Sequence, residues 1–111
     1  MKSKEATLAY NTHKRVTVDH FYLKVSERFT SGLPDSLFIN KKGLHLWVEY
    51  KIFPNTLSEL QKAMINLLVQ YNQTVWIITK TENTYTIFDA KDRSYTASDK
   101  PWEDISNWLS S

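Results

Sequence analysis

The feature that most constrains the fold is a pair of short apolar segments separated by a three-residue polar loop. The first segment, Ser36–Ile39, is predicted to be a strand, and residues 46–51 alternate between apolar and other side chains as a second strand does. The loop between them, Lys41-Lys42-Gly43, suits a hairpin with glycine in the left-handed conformation. The sequence therefore predicts an antiparallel hairpin in the middle of the chain.

The length of that loop determines which residues face each other across the hairpin. With three loop residues, Asn40 pairs with Leu44 and, counting back, Asp35 pairs with Glu49. Directly opposed residues share a face, with Cβ atoms roughly 5 Å apart. A four-residue loop would instead set Asp35 against Val48. The three-residue loop thus predicts two carboxylates side by side on one face of the sheet.

The second strand also separates its own side chains into two sets. Because successive residues point to opposite faces, one face carries polar and bulky groups (His45, Trp47, Glu49, Lys51) and the other carries apolar groups (Leu46, Val48, Tyr50). The carboxylate and the ammonium of Glu-x-Lys are therefore predicted to lie on the same face as Asp35.

Two adjacent carboxylates repel each other unless a cation lies between them or one is protonated. Carboxylate oxygens bind hard divalent cations, and a nearby lysine can offer its charge to an attacking water or a phosphate, as phosphodiester hydrolysis requires. Taken alone, Pro34-Asp35 is an ordinary turn start and Glu49-Tyr50-Lys51 an ordinary ion-pair strand. Their order and spacing, followed by a helix bearing glutamine, favour a metal-dependent site.

The sequence from residue 21 to about residue 80 resembles the VRR-NUC branch of the PD-(D/E)xK nuclease superfamily, most of all its small stand-alone phage members. The resemblance is carried by three segments: Ser31-Gly32-Leu33-Pro34-Asp35, Leu46-Trp47-Val48-Glu49-Tyr50-Lys51 and Leu57-Ser58-Glu59-Leu60-Gln61. It implies a restriction-endonuclease-like core, with a mixed central sheet flanked by helices, and a metal-dependent nuclease.

The resemblance also implies roles for particular residues. Asp35, Glu49 and the backbone carbonyl of Tyr50 are the expected ligands of Mg²⁺ or Mn²⁺, and Lys51 is expected to orient the attacking water and balance charge. Gln61 matches the family's helix glutamine, although Ser58-x-x-Gln61 is also a capping box in its own right.

Further assignments are less specific. Relatives carry an extra glutamate on the first helix, for which Glu5 is the candidate and Glu27 the alternative; surface charge is the competing explanation. Three residues before the motif are expected to contact the DNA backbone, which positions a duplex without reading its sequence: Lys24, Arg28 and Ser31.

The remaining elements follow from local patterns. Residues 4–10 are predicted to form a short helix, and residues 16–25 a strand, with a helix as the alternative. Residues 57–71 are predicted to form a helix with an apolar stripe at Leu60, Ala63, Met64, Leu67, Leu68 and Tyr71.

The last part of the chain is predicted to contain two strands and a helix. The strands are residues 74–79 and 84–88, and the helix starts at Pro101. Its apolar stripe is assigned either to the core or to an oligomer contact, and comprises Trp102, Ile105, Trp108 and Leu109. This order predicts an α/β (α+β) layer fold.

Composition limits the cellular setting and the partners. A chain of 111 residues predicts one domain, residues 1–111, and the absence of cysteine excludes disulfides and thiolate zinc sites. No apolar run is long enough to span a bilayer, and no signal peptide is seen, so a cytoplasmic protein of a phage or bacterial host is expected. Net charge is only +2, but lysine and arginine concentrate before Glu49, which fits nucleic-acid contacts.

The expected function is a divalent-metal-dependent DNA endonuclease, acting as a homodimer on branched DNA such as four-way junctions. Symmetric cleavage of such a junction needs two sites related by a two-fold axis. The alternatives are a nuclease of the same chemistry on flaps or linear duplexes, and a non-catalytic nucleic-acid-binding module with the same fold.

Overall fold

A computed structural model of the chain describes residues 3–25 and 32–111, which form three helices and six strands. The elements, in chain order, are α1 (Lys4–His13), β1 (Phe21–Lys24), β2 (Ser36–Ile39), β3 (His45–Ile52), α2 (Glu59–Gln70), β4 (Thr74–Lys80), β5 (Tyr85–Asp89), β6 (Ser94–Ser98) and α3 (Pro101–Ser110). No helix among these residues is long and apolar enough to cross a membrane.

The six strands form one mixed sheet in the order β1-β2-β3-β4-β5-β6. Every neighbouring pair is antiparallel except β3 and β4, which run parallel. Parallel neighbours require a crossover connection, and α2 supplies it. The mixed sheet with flanking helices that the sequence predicts is therefore present.

The helices cover the two faces of the sheet and make a three-layer structure. On one face, Leu8 of α1 and Ile105 and Leu109 of α3 pack against the apolar side of β3. On the other face, Ile65 of α2 packs against β4. The stripe on α3 thus belongs to the core, because Ile105 is fully buried and Leu109 is 5% exposed.

The central hairpin has the predicted register. The pairs Ser36↔Val48 and Ile39↔His45 are the ends of the β2–β3 ladder, and continuing it by one residue sets Asp35 opposite Glu49. The loop closes through Asn40 N–H, which donates to the Leu44 carbonyl at 3.0 Å, and Gly43 has φ +82°. The three-residue loop is confirmed, and with it the opposition of the two carboxylates.

Two predicted elements have different bounds. The strand expected over residues 16–25 is limited to Phe21–Lys24, because Val16 is packed into the core beside the end of α1 instead of joining the sheet. The first helix is longer than predicted and ends at His13, with Leu8 and Thr12 buried. Strand β6, whose five residues are mostly exposed and polar, was not predicted.

The apolar stripe predicted for α2 is wrong in part: Leu68 packs against the sheet as predicted, but three other members of the stripe are exposed. Leu60 is 51% exposed, Leu67 is 44% exposed and Tyr71 is 74% exposed, whereas Ile65 is buried. The helix instead buries the side that carries Ile65, Leu68 and Val69, which packs against Val75 and Ile77 of β4. Gln61 precedes Ile65 by one helical turn and therefore lies on the side facing the sheet.

Candidate active site

Strand β3 carries the centre of the site on the face covered by α2. Glu49 is only 2% exposed, and its Oε2 lies 3.7 Å from the ammonium Nζ of Lys51, whose side chain is 15% exposed. A buried carboxylate is costly unless it is paired and hydrogen-bonded. The lysine two residues away on the same face provides the opposite charge.

Gln61 links α2 to this pair. Its Nε2 donates to Oε2 of Glu49 at 3.1 Å, while its Oε1 accepts from the Ser58 backbone N–H at 2.9 Å. The Ser58 side chain in turn accepts from the Gln61 backbone N–H, which completes the capping box. The two roles suggested by the sequence are therefore compatible, because one end of the amide caps the helix and the other end contacts Glu49.

Asp35 lies where β2 begins, at the edge of β3. Its Oδ2 accepts from the Tyr50 backbone N–H at 2.8 Å, so the carboxylate takes the position that a backbone acceptor of a longer β2 would occupy. The N–H and C=O of one strand residue point toward the same neighbouring strand. The Tyr50 carbonyl consequently faces the same edge as Asp35.

A close contact between Gly32 and the first turn of α2 holds the loop that leads to Asp35. Gly32 has φ +90°, and a Cβ added there would lie 2.9 Å from Leu60 Cγ and 3.0 Å from the Leu60 carbonyl oxygen. Both the backbone conformation and the space require glycine. The loop bearing Asp35 and the helix bearing Gln61 are thereby packed against each other.

We expect Gly32→Ala to destabilise the protein by more than Gly43→Ala. Both glycines have positive φ, so both substitutions carry a backbone cost of about 1 kcal/mol or more, but a Cβ at Gly43 meets no atom within 4 Å. The collision with Leu60 should add about 1–3 kcal/mol at Gly32. Equilibrium denaturation of the two variants measures the difference, and equal losses would show that the close contact with α2 is unimportant.

Glu5 reaches the same edge of β3 from α1, forty-seven residues away in sequence. Its Oε2 accepts from the Ile52 backbone N–H at 3.3 Å and from Nδ2 of Asn55 at 3.0 Å. The hydrogen bond from Asn55 lowers the pKa of the Glu5 carboxyl, and the charge of Lys51 acts in the same direction. Glu5 is thus held as a carboxylate next to the end of the strand that carries Glu49 and Lys51.

A cavity of about 480 Å³ brings Glu5 and Asp35 together. Lys24 and Ser36 also line it, so of the three residues predicted to contact DNA, Lys24 stands beside the acidic groups. The other two, Arg28 and Ser31, lie outside the described residues, as does Glu27, the alternative to Glu5. The structure therefore gathers Asp35, Glu49, Tyr50, Lys51, Gln61 and Glu5 around one edge of β3.

The residues present suit a hard divalent cation. Within residues 3–25 and 32–111, no three Asp, Glu, His or Cys side chains are grouped as a metal site. The candidate side-chain donors are the Asp35 and Glu49 carboxylates, which the hairpin register sets opposite each other. Mg²⁺ is commonly held by one or two carboxylates, with waters and substrate phosphate oxygens completing its shell. The two carboxylates and the Tyr50 carbonyl at the same edge are such a donor set, made of oxygen alone.

Asn55 is a residue of this site that the sequence did not indicate. It follows β3 in a turn, where its N–H donates to the Ile52 carbonyl at 2.9 Å and its side chain holds Glu5. An asparagine in a turn is so common that its residue type carries no signal. Only the approach of α1 to the end of β3 gives it a role.

The sequence matches no protein-family model and no curated protein. Among solved structures, the chain is similar to Hjc, a Holliday junction resolvase from the archaeal hyperthermophile Archaeoglobus fulgidus. The TM-score is 0.59 at 12% sequence identity, and the match covers 93% of this chain and 89% of that chain. Similarity at this identity concerns the fold alone, and it confirms the predicted α+β architecture with a mixed sheet flanked by helices.

Proposed function

We propose that this protein is a divalent-metal-dependent DNA endonuclease of the VRR-NUC type. The observation that carries the proposal is the buried Glu49, which contacts Lys51 and Gln61 and stands opposite Asp35 in the hairpin register. If this face of β3 served only to pack against α2, an apolar side chain would be expected at position 49, because burial of a charge opposes folding. A site for a cation and a phosphate explains why the charge is kept there.

In this proposal, Asp35, Glu49 and the Tyr50 carbonyl hold Mg²⁺ or Mn²⁺. When bound, the cation makes a water a better nucleophile and neutralises charge on the phosphate. The protein's own groups position the reactants. Lys51, whose Nζ lies 3.7 Å from Glu49 Oε2, would balance the negative charge that builds on a phosphate bound beside that carboxylate.

Gln61 and Glu5 complete the proposed site from two helices. The Gln61 amide fixes Glu49 Oε2 in one orientation, so that the carboxylate does not have to reorganise when the cation binds. Glu5 is the proposed extra acid. Its carboxylate, held by Ile52 N–H and Asn55, adds negative charge at the same edge and strengthens the attraction for a cation.

We propose branched DNA, such as a four-way junction, as the substrate, and a homodimer as the active form. Two points support this: the fold is similar to that of Hjc, a Holliday junction resolvase, and symmetric cuts in a junction require two sites at a fixed separation. The α3 stripe is part of the core, so a dimer would use another surface. We expect the protein to act in the cytoplasm of a phage host or bacterium.

We expect the protein to cut a four-way junction in paired, symmetric positions and to cut a linear duplex much more slowly. Cleavage should be measured on junction, flap and duplex of the same sequence, with Mg²⁺, with Mn²⁺ and with chelator. Light scattering at micromolar protein concentration gives the oligomeric state. A monomer that nicks branched and linear DNA equally would contradict junction selectivity, and binding without any cleavage would identify a non-catalytic module.

A further inference from the structure

A second and larger cavity, of about 750 Å³, lies on the other side of α1 from Asp35. One face of the helix lines it through residues spaced three or four apart, among them Lys4 and Asn11, and Arg15, two residues after the helix ends, continues the same lining. The opposite wall comprises the end of β3, the β4–β5 turn and Trp102 of α3. We call this cavity the α1 groove.

The charges of the α1 groove favour an anion. Three cationic side chains line it, Lys4, Arg15 and Lys80, against one carboxylate, Glu82. No salt bridge ties any of these three cations to an acid among the ion pairs of the described residues. An excess of positive charge in a concave site concentrates the field and attracts phosphate.

Arg15 is held in position for such a role. Its guanidinium lies 4.9 Å from the centre of the Trp102 ring, and its NH1 donates to the Asn11 carbonyl at 3.0 Å. A guanidinium has five N–H groups in a fixed planar arrangement. One bond to Asn11 therefore leaves donors that a phosphate can engage while the ring contact limits the motion of the side chain.

The groove also has an exposed aromatic ring at the end of β3. Phe53 is a large apolar residue, yet its side chain is 66% exposed. Packing in the core therefore does not explain why a phenylalanine stands at this position. A basic groove combined with an aromatic ring is the arrangement by which proteins bind a single nucleic-acid strand, with phosphates on the cations and a base stacked on the ring.

The groove adjoins the proposed catalytic site. Phe53 lies two residues after Lys51 on the same segment, and Ile52, which lines the groove, donates its N–H to Glu5. The end of β3 is therefore shared by the two features: Lys51 lies on the face covered by α2, and the groove lies on the face covered by α1 and α3. A strand that passes Lys51 and continues around this end of the sheet would reach the groove. At a branch point the bases beside the exchange are unstacked more easily than in a duplex, so one of them is available to the ring.

We propose that the α1 groove binds a single DNA strand as it leaves the catalytic site, with phosphates on Lys4, Arg15 and Lys80 and an unstacked base on Phe53. This inference rests on the proposed function, since it assigns to the groove a part of the same substrate. It adds a reason for branch selectivity: in a continuous duplex no strand changes partner and no base lies beside an exchange point, where unstacking is easier.

The test is binding of a fluorescent single-stranded oligonucleotide and a four-way junction in chelator, where cleavage does not enter. Arg15→Gln with Lys80→Gln should weaken single-strand binding by about 25-fold at 0.1 M salt and reduce the salt slope by about 1.4, the effect of two lost phosphate contacts. Phe53→Ala should weaken it by about tenfold through lost stacking. The matched control is Lys42→Gln with Lys91→Gln, which removes the same charge from exposed loops at the opposite end of the sheet.

Equal losses of binding affinity in the groove variant and in the control would contradict strand binding by the groove. Unchanged binding by Phe53→Ala would contradict it as well. If Arg15→Gln fails to fold because of its contact with Trp102, Lys4→Gln with Lys80→Gln repeats the test without touching that ring. A mononucleotide that displaces the oligonucleotide at millimolar concentration would make the groove a nucleotide pocket and contradict strand binding. If the wild-type protein cuts DNA and the groove variants bind DNA normally, only the proposed role of the groove is wrong. If the wild-type protein neither binds nor cuts DNA, the proposed nuclease function itself is wrong.

Discussion

Replacing Asp35 by Asn, or Glu49 by Gln, is expected to lower the cleavage rate by about 10³-fold or more with Mg²⁺ present. Each substitution removes one of the two carboxylates that are proposed to hold the cation, and metal-assisted charge stabilisation is worth several kcal/mol, at about 1.4 kcal/mol per tenfold. Single-turnover cleavage of a four-way junction, followed over a range of Mg²⁺ concentrations, is the measurement.

These amide variants are preferable to alanine because they preserve the local hydrogen bonds. An asparagine oxygen at position 35 can still accept from the Tyr50 N–H, which Asp35 accepts at 2.8 Å. We therefore expect both variants to fold, with thermal melting as the check. Glu59→Gln, on the exposed outer side of α2, is a matched control that removes one carboxylate outside the site. A wild-type cleavage rate in either site variant would show that the carboxylate pair does not hold the catalytic metal.

Lys51→Ala is expected to slow the chemical step by about 10²-fold while changing DNA affinity little. The lysine's charge matters most as negative charge builds on the reacting phosphate, which is the behaviour of a group that stabilises the transition state. Single-turnover rates and equilibrium binding in chelator separate the two effects. Equal losses in rate and affinity would instead make Lys51 an anchor for the ground-state phosphate.

The same substitution should also show how the charge of Glu49 is balanced. The Nζ of Lys51 lies 3.7 Å from Glu49 Oε2. Without this lysine, the free energy of unfolding of the metal-free protein should fall by up to about 3 kcal/mol, because the buried charge of Glu49 then loses the ammonium that balances it. Addition of Mg²⁺ should recover part of that loss, because the cation supplies the missing charge. Lys62→Ala, which removes an exposed i,i+3 pair with Glu59, should do neither.

Local patterns were sufficient to predict the centre of the site. A three-residue loop with one glycine sets the hairpin register, and the register sets Asp35 opposite Glu49. The period of two along β3 then assigns Glu49 and Lys51 to one face and Val48 and Tyr50 to the core. These features depend on neighbours within about fifteen residues, where turn chemistry and side-chain alternation act directly.

The face that α2 buries could not be predicted from its own sequence. Apolar residues surround much of this helix, so the pattern alone favoured Leu60, Leu67 and Tyr71 together with Leu68, and of these four only Leu68 packs against the sheet. In the folded protein it is Ile65 that is buried against the sheet. Gln61, one turn earlier on the same side of the helix, therefore faces the sheet and contacts Glu49. A helix with two apolar sides takes its orientation from the surface it covers, because burial of either side contributes a similar free energy.

By itself, the sequence determined the elements whose signals are local: the hairpin and its register, the capped start of α2, and the start of α3 at Pro101. Only the tertiary structure decided that Glu5 and Asn55 meet at the end of β3 and that a basic groove with Phe53 opens on the other side of α1. The physical reason is that no period or turn links residues fifty positions apart, as Glu5 and Asn55 are. Their approach follows from how α1 packs on the sheet, which depends on the free energy of the whole core.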